Sequence, residues 1–155
     1  TVAEYLEGWL AGLAGTVRPT TAEKYRRDLA RHVVPRVGRL PLARLTPDRL
    51  ARLYGELAAA GLAPMSVRHI HAELHRALEQ GVRRGAVARN VAALVDPPQA
   101  VRSEMRPLTP EQVRALLAAA RGDRLEALCV LAGTTGMRRG ELLGLRWADV
   151  DLAGG

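Results

Sequence analysis

The sequence predicts an all-α protein in which a bundle of four or five helices is followed by a shorter set of helices. Two observations lead to this fold class. Apolar residues recur at the spacing of an amphipathic helix along most of the chain, and helix-capping patterns alternate with Gly and Pro breaks. The alternating pattern of a β-strand occurs near the end, where residues 147–152 (Trp-Ala-Asp-Val-Asp-Leu) predict the beginning of a strand.

Two capping-box sequences predict the starts of the first two helices. Thr1 and Glu4 have this spacing, and Gly15 ends the helix that they open. A second box, residues 20–23 (Thr-Thr-Ala-Glu), opens a helix that runs to about Val33. The inner stripe predicted for this helix is Ala22, Tyr25, Leu29 and Val33, and the outer face carries Lys24, Arg27 and Arg31.

The next two helices carry the clearest amphipathic pattern. Thr46 followed by Pro47 predicts an N-cap and a first helical residue, and this helix runs to Gly61. Pro64 opens the longest helix, which runs to about Arg84. Its apolar face consists of Val67, Ile70, Leu74, Ala77 and Leu78, and its other face of Arg68, His69, Ala72, His75 and Arg76. A basic face of this kind fits a helix that lies in a DNA groove, and it is also typical of an ordinary amphipathic helix with a solvated surface.

A change in composition divides the chain. Residues 96–107 contain three prolines and few apolar residues, which is typical of a linker. We therefore expect one domain over residues 1–95 and a second, truncated domain over residues 108–155, so that the chain is a fragment. The second domain opens with a capping box at residues 109–112. Its pattern predicts helices at about 110–120, 123–135 and 138–146.

The composition of the chain bears on the kind of partner that the protein binds and on the compartment in which it works. The net charge is +7, and residues 1–100 carry 15 basic and 9 acidic side chains against 8 and 7 in residues 101–155. All the basic residues except Lys24 are Arg, which suggests nucleic acid as a partner, although a solvated Arg-rich surface has the same composition. The lone Cys129, the lack of a membrane-spanning apolar run and the lack of a signal peptide predict a cytoplasmic protein that does not engage a membrane.

Residues that commonly bind metals or form covalent intermediates are sparse. His71 and His75 have the spacing of a ligand pair, but no third ligand cluster lies near them in the sequence, so we predict no metal site. The sequence also has no Gly-rich phosphate loop, Ser nucleophile elbow or carboxylate dyad.

The most specific pattern in the chain lies at residues 134–151. Gly136 predicts a turn that places Arg138 at a helix start, with Glu141 one turn later. The exposed backbone N–H groups of a helix start favour an anion, so Arg138 suits a phosphate, and Glu141 suits the orientation of its guanidinium. A helix-start Arg in a local ion pair would have the same sequence.

This segment closely resembles the first catalytic motif of the tyrosine recombinases, the phage-integrase family, in which Thr-Gly-Leu/Met-Arg-x-x-Glu-Leu precedes Leu-x-Trp-x-Asp. The resemblance implies that Arg138 contacts the scissile phosphate and stabilises the charge of the transition state, and that Glu141 supports it. Further resemblances in the family's order extend over almost the whole chain, at residues 20–38, 40–47, 66–70 and 108–112.

The resemblance implies a fold, a partner and a reaction. The first domain would be a SAM-like core-binding bundle, and the second the opening helices of a mixed α/β catalytic domain. Together they would grip double-stranded DNA. The full-length protein would act in DNA integration and recombination through a 3′-phosphotyrosyl intermediate, as a tetramer on paired duplexes and without a metal or nucleotide cofactor. The expected phosphate contacts are Lys24, Arg27, Arg31, Arg68 and Arg76, and Ser66 and His69 would contact base edges or phosphates.

Two departures from the family pattern bear on activity. Asn90 is followed by Val91 where the family usually has Pro, a mild change in a loop. The family's hairpin Lys, His-x-x-Arg motif and nucleophilic Tyr have no counterpart, because Tyr5, Tyr25 and Tyr54 all lie in the first domain at core-like spacing. We therefore expect this chain to be inactive alone. Two alternatives remain open: a stand-alone DNA-binding module such as a truncated integrase, and a helical adaptor whose basic face meets an acidic protein.

Overall fold

The computed structural model describes residues 1–99 and 104–151, and it confirms the all-α class, because these residues form helices and turns without any strand. The chain divides into two compact units, Thr1–Arg102 and Ser103–Gly155. The α-helices are α1 (Val2–Ala11), α2 (Pro19–Asp28), α3 (Val34–Val37), α4 (Pro47–Ala59) and α5 (Pro64–Arg83) in the first unit, and α6 (Pro110–Ala119), α7 (Glu126–Thr135) and α8 (Arg139–Gly144) in the second. A π-helical turn covers Leu29–Val33, and 3-10 turns cover Leu42–Arg44, Val91–Leu94 and Trp147–Asp149.

Side-chain caps fix several helix starts where the sequence predicts them. The Thr1 hydroxyl accepts from the Glu4 backbone N–H at the start of α1, and the Glu4 carboxylate accepts from the chain's amino terminus. Thr46 caps α4 in the same way. Thr109 and Gln112 form a reciprocal capping box at α6. Each cap satisfies backbone donors that the first turn of a helix leaves unpaired.

The predicted start of α2 is wrong. This helix begins at Pro19 with Arg18 as its N-cap, so Thr20 lies within the first turn and caps nothing. Proline explains the shift, because its fixed φ suits the first helical position and its missing N–H leaves no donor to satisfy. None of the residues of α2 is buried. The buried part of the predicted stripe lies in the following π-helical turn, where Leu29 and Val33 enter the core.

The core of the first unit is formed by α1, α4, α5 and the π-helical turn. All residues of the apolar stripe predicted for α5 are buried, as the amphipathic pattern indicates. The largest fully buried side chains include Leu6, Leu29, Leu50, Leu53, Leu57, Ile70 and Leu74. Burial of this stripe leaves the opposite side of α5 facing outward.

A close approach between α1 and α5 requires a glycine. The Tyr5 hydroxyl on α1 donates to the Ala77 carbonyl oxygen on α5 over 2.5 Å. A Cβ atom at Gly81 would lie 2.5 Å from that hydroxyl oxygen and 3.1 Å from the Val87 side chain. Gly81 therefore makes room for the tyrosine ring, and the hydrogen bond fixes α1 against α5.

The second unit, taken by itself, is thinly packed. α6 contacts α7, and α7 contacts α8. None of the described residues from 104 to 151 is buried. Its exposed large apolar side chains are Met105, Leu108, Leu116, Leu125, Val130, Leu143 and Trp147. These helices thus leave several large apolar side chains uncovered.

The strand predicted at the end of the chain is wrong where the structure describes it, because Trp147–Asp149 form a 3-10 turn. The Asp149 carboxylate accepts from the Arg146 backbone N–H (3.0 Å) and from its guanidinium (3.3 Å). These local bonds stabilise a turn, and no strand among the described residues lies beside this segment to pair with it. Leu152, the last residue of the predicted strand, lies outside the described residues.

Candidate nucleic-acid interface

One long side of α5 is exposed and basic. Arg68, His69 and Arg76 lie on it, and Ser66 is exposed in the first turn of the helix. Arg68 has no ion-pair partner among the described residues. The Arg76 guanidinium donates to the Tyr25 hydroxyl over 3.3 Å, and no described carboxylate pairs with it. This side of α5 therefore carries uncompensated positive charge.

The cations predicted on the outer face of the second helix differ in their partners. The side chain of Arg27 is 65% exposed, and its Nε lies 3.4 Å from Asp28 Oδ1. Arg31 is exposed, without an ion-pair partner in the described part of the chain. Lys24 is not free: its Nζ lies 2.7 Å from Asp28 Oδ2 and 2.6 Å from Glu73 Oε1. Arg27 and Arg31 remain available to an external anion, whereas Lys24 is already held by two carboxylates.

Glu73 is the only charged side chain that is buried among the described residues, with 3% of it exposed. Its Oε1 accepts from Lys24, while its Oε2 is buried and has no hydrogen-bond partner within residues 1–99 and 104–151. Burial raises the pKa of the Glu73 carboxyl to about 6, although the Lys24 ammonium acts in the opposite direction. Burial acts in the same sense on Asp28, but there the Lys24 ammonium prevails and lowers the pKa of that carboxyl.

Glu73 is absent from the predicted site residues, although the sequence contains a signal for it. It lies three residues after Ile70 and three residues before Arg76, so helical phase places it at the border of the apolar stripe, and the structure buries it there. Acidic residues are rarely buried unless they are paired. An acidic residue in the phase of a buried stripe therefore indicates a partner cation from another helix.

A second polar cluster joins α4 to α5. Tyr54 Oη lies 3.1 Å from His71 Nδ1, and the rings of His71 and His75 are 6.1 Å apart. Burial lowers the pKa of His71, and the neighbouring His75 and Arg68 act in the same direction. In the described part of the chain, no group of three His, Cys, Asp or Glu side chains is placed to hold a metal ion. The hydrogen bond makes this cluster a link between the two helices.

Arg138 and Glu141 lie together in the second unit, as their spacing predicts. Gly136 ends α7 in the left-handed conformation (φ 67°), and Arg138 is the N-cap of α8. Glu141 accepts from the Arg138 backbone N–H through Oε2 (2.7 Å) and from its guanidinium through Oε1 (3.1 Å). The Arg138 side chain is nevertheless 87% exposed. Glu141 thus orients a guanidinium whose remaining donors are open to an anion.

The chain is similar in sequence and in structure to known proteins of one family. Residues 1–58 match the family described as "Phage integrase, N-terminal SAM-like domain". The chain is 35% identical over 156 residues to an integrase of Streptomyces ambofaciens, which covers 99% of this chain and 40% of that protein. A phage integrase SAM-like domain of Moorella thermoacetica, solved by NMR, is 35% identical with a TM-score of 0.57, over 68% of this chain and 91% of that domain.

The fold is also that of lambda integrase. A lambda integrase dimer bound to a COC′ core site has a TM-score of 0.83 at 21% identity, over 96% of this chain and 55% of that chain. The helical bundle of the first unit, which the family model and the SAM-like domain both match, defines a protein of the integrase class. The chain belongs to the tyrosine recombinase, or phage integrase, family.

The chain spans between 34% and 51% of the length of the curated relatives that it matches. None of the described helices is both long enough and apolar enough to cross a membrane.

Proposed function

We propose that this chain is the DNA-gripping portion of a tyrosine-type site-specific recombinase, whose full-length form acts in DNA integration and recombination. The observation that carries the proposal is the exposed basic side of α5, which lies opposite a fully buried apolar stripe. Such a side suits a helix that lies in the major groove, where basic side chains contact phosphates and other side chains reach base edges. Proteins of the same fold have been solved in complex with DNA, among them lambda integrase on a core site and the Tn1549 integrase with circular intermediate DNA.

The proposed DNA contacts are assigned to side chains that are exposed and, for the phosphates, positively charged. We assign Arg27 and Arg31 beside α5, and Arg68 and Arg76 on it, to DNA phosphates. Ser66 and His69 lie near the start of α5 and would contact base edges or phosphates. The sequence-based expectation for Lys24 was a phosphate contact. We assign it instead to its ion pairs with Asp28 and Glu73, because these two carboxylates already neutralise its ammonium.

The organisation into domains is part of the proposal. We assign residues 1–95 to the core-binding domain, residues 96–107 to a linker and residues 108–155 to the beginning of the catalytic domain. The exposed apolar side chains of α6, α7 and α8 support the last assignment, since helices of a complete domain would bury them against further structure. In the full-length protein the two domains would close around one duplex. Assembly into a tetramer on paired duplexes has a precedent in lambda integrase bound to a Holliday junction.

Arg138 and Glu141 would serve the chemical step of the full-length protein. The Arg138 guanidinium would stabilise the negative charge on the scissile phosphate, and Glu141 would hold it in place. The strand break itself needs a tyrosine nucleophile. Tyr54 is buried against His71, Tyr5 donates to a backbone carbonyl, and the Tyr25 ring stacks on Trp9 in the first unit, so none of the three suits that role. We therefore expect the nucleophile to lie outside this sequence, and the chain to bind DNA without cutting it.

The salt dependence of duplex binding tests the proposal. Fluorescence anisotropy of a labelled duplex should show an affinity that falls linearly on a logarithmic salt scale, because each neutralised phosphate releases counterions. Replacing Arg68 and Arg76 together by Ala should lower the slope by about two units. Replacing Arg49 and Arg52 on α4 by Ala removes the same charge and serves as the control.

Each outcome separates the alternatives. An unchanged slope in the α5 variant would remove Arg68 and Arg76 from the interface. Wild-type binding that is absent or independent of salt would reject duplex DNA as the partner and favour a helical adaptor for an acidic protein. Steep salt dependence fits both a recombinase fragment and a stand-alone binding module. These two differ in whether the source gene continues past codon 155 with a His-x-x-Arg motif and a late Tyr.

A further inference from the structure

The helix that carries Arg27 has little apolar attachment to the rest of the bundle. None of the residues of α2 is buried, and the chain enters the core only in the turn that follows, at Leu29 and Val33. The Tyr25 ring stacks on Trp9 of α1, with the ring centroids 5.8 Å apart. The end of α2 is therefore fixed by Leu29, whereas the part before it is held by Tyr25 and a few polar contacts rather than by a packed apolar face.

Two polar contacts join α2 to α5. Lys24 Nζ donates to Glu73 Oε1 over 2.6 Å, and Arg76 Nη1 donates to the Tyr25 hydroxyl over 3.3 Å. The first is much the shorter, and it joins two charges. Asp28 holds the same ammonium from within α2 at 2.7 Å, so Lys24 is fixed from both sides.

Glu73 is an unfavourable choice for stability alone. A carboxylate on the buried stripe of α5 loses its hydration, and Oε2 finds no hydrogen bond in the described structure to replace it. Well-packed apolar residues often stabilise a fold as much as a buried ion pair does, or more. What an ion pair adds is a defined register between two elements, because the ammonium and the carboxylate must meet at one place.

We propose that Glu73 is a positioning residue for DNA binding, which holds Lys24 and thereby sets α2 against α5 so that the cations of both helices face one duplex. This inference rests on the proposed function. A cleft of about 440 Å³ lies between the two helices at this place, lined by Thr21, Lys24, Tyr25, His69, Ala72, Glu73 and Arg76. The cleft gives α2 room to shift when the ion pair is lost. Arg27 would then move out of register with Arg68 and Arg76, whereas Arg31 is held between the buried residues Leu29 and Val33.

The test compares two variants of Glu73 in the full chain. Glu73→Leu fills the buried site without a charge, so the bundle stays folded while Lys24 loses its acceptor on α5. Glu73→Gln retains a carbonyl oxygen that accepts from Lys24. Glu73→Met fills the same space with a more adaptable side chain and keeps the test valid should the Leu variant fail to unfold cooperatively. Glu56→Gln on α4, where Glu56 pairs with Arg36, removes one negative charge elsewhere and is the control.

The expected result has a sign that simple electrostatics does not predict. Removing a carboxylate from a DNA-binding chain should tighten binding, and Glu56→Gln should do so slightly. Glu73→Leu and Glu73→Met should instead weaken binding and lower the salt slope by about one unit, because Arg27 on α2 loses its phosphate. Glu73→Gln should bind as Glu56→Gln does, because it removes the same charge and keeps the acceptor for Lys24.

The other outcomes overturn the inference in distinguishable ways. If Glu73→Leu folds and binds as tightly as Glu56→Gln with an unchanged slope, Glu73 has no positioning role. If Glu73→Gln loses as much affinity as Glu73→Leu, the charge itself matters and registration by a hydrogen bond is wrong. If the wild-type chain itself shows no salt-dependent binding to duplex DNA, the proposed function is wrong, and the inference about Glu73 is rejected with it.

Discussion

The buried carboxylate of α5 leads to a pH-dependent difference in stability that can be isolated by one substitution. Burial raises the pKa of the Glu73 carboxyl from its ordinary value of 4.5 to about 6, and a difference of this size corresponds to about 2 kcal/mol. The groups that face this carboxyl are Lys24, Asp28 and Arg27, and their effects are contained in that value. Glu73→Gln keeps the shape and the acceptor for Lys24 but has no proton to lose.

The sign follows from which state binds the proton more tightly. The folded protein has the higher pKa, so between 4.5 and about 6 it retains a proton that the unfolded chain has released. The contribution of Glu73 to the free energy of unfolding is therefore fully present at low pH and is lost as the pH rises through about 6. We therefore compare the free energies of unfolding of the wild type and of Glu73→Gln. The wild-type value minus the variant value should fall by about 2 kcal/mol between about pH 4 and pH 8.

Urea unfolding at a series of pH values measures this difference. Fluorescence of Trp9, which is buried in the same unit, reports the transition, and a Trp147→Phe background removes the exposed tryptophan of the second unit. The other ionisable side chains are the same in both proteins, so most of their contribution cancels in the comparison. A difference that stays flat with pH, or that grows toward high pH, would refute the reasoning, because the ion pair with Lys24 would then outweigh the burial.

Other substitutions test single contacts. Gly81→Ala should lower the free energy of unfolding by about 1–3 kcal/mol, because the new Cβ overlaps the Tyr5 hydroxyl, and adding Tyr5→Phe should recover part of the loss. Asn90→Ala should cost about 1–3 kcal/mol in the same assay, since this buried amide bonds a carbonyl of α5 and caps the next 3-10 turn; an unchanged midpoint would contradict these bonds. Glu141→Ala should speed hydrogen exchange of the Arg138 amide and leave the first unit unaffected, and retained protection would mean that Glu141 is not its acceptor.

The helix positions and the core follow from local rules that act over a few residues. The stripe of α5 was predicted because its apolar residues recur at helical spacing, and their burial is confirmed. Thr1, Thr46 and Thr109 cap helices where predicted, because capping depends on residues within one turn. Arg138 and Glu141 lie one turn apart, so their contact was also predictable from spacing.

The relation between α2 and α5 was not predictable in this way. Lys24 was expected on an outer face because helical phase within α2 places it beside Arg27, but phase within one helix does not show which neighbour meets that face. Glu73 comes within 2.6 Å of Lys24 across 49 positions of sequence, a distance set by the packing of the whole bundle. The predicted start of α2 is wrong for a simpler reason. Thr20 is of a residue type that often caps helices, but Pro19 before it takes the first helical position, so Thr20 already lies inside the helix.

The π-helical turn after α2 adjusts the rotational phase of the helix on either side of it. The Val34 backbone N–H donates to the Leu29 carbonyl oxygen five residues back, so this turn contains one residue more than an α-helical turn. Each residue advances a helix by about 100°, and the additional residue therefore lets Arg27 face outward while Leu29 and Val33 face the core. Deleting Ala30 would remove this adjustment and rotate the cations of α2 by about a quarter of a revolution relative to the bundle. The length of this turn thus sets the rotation of α2 about its own axis, and with it the side of the helix on which Arg27 lies.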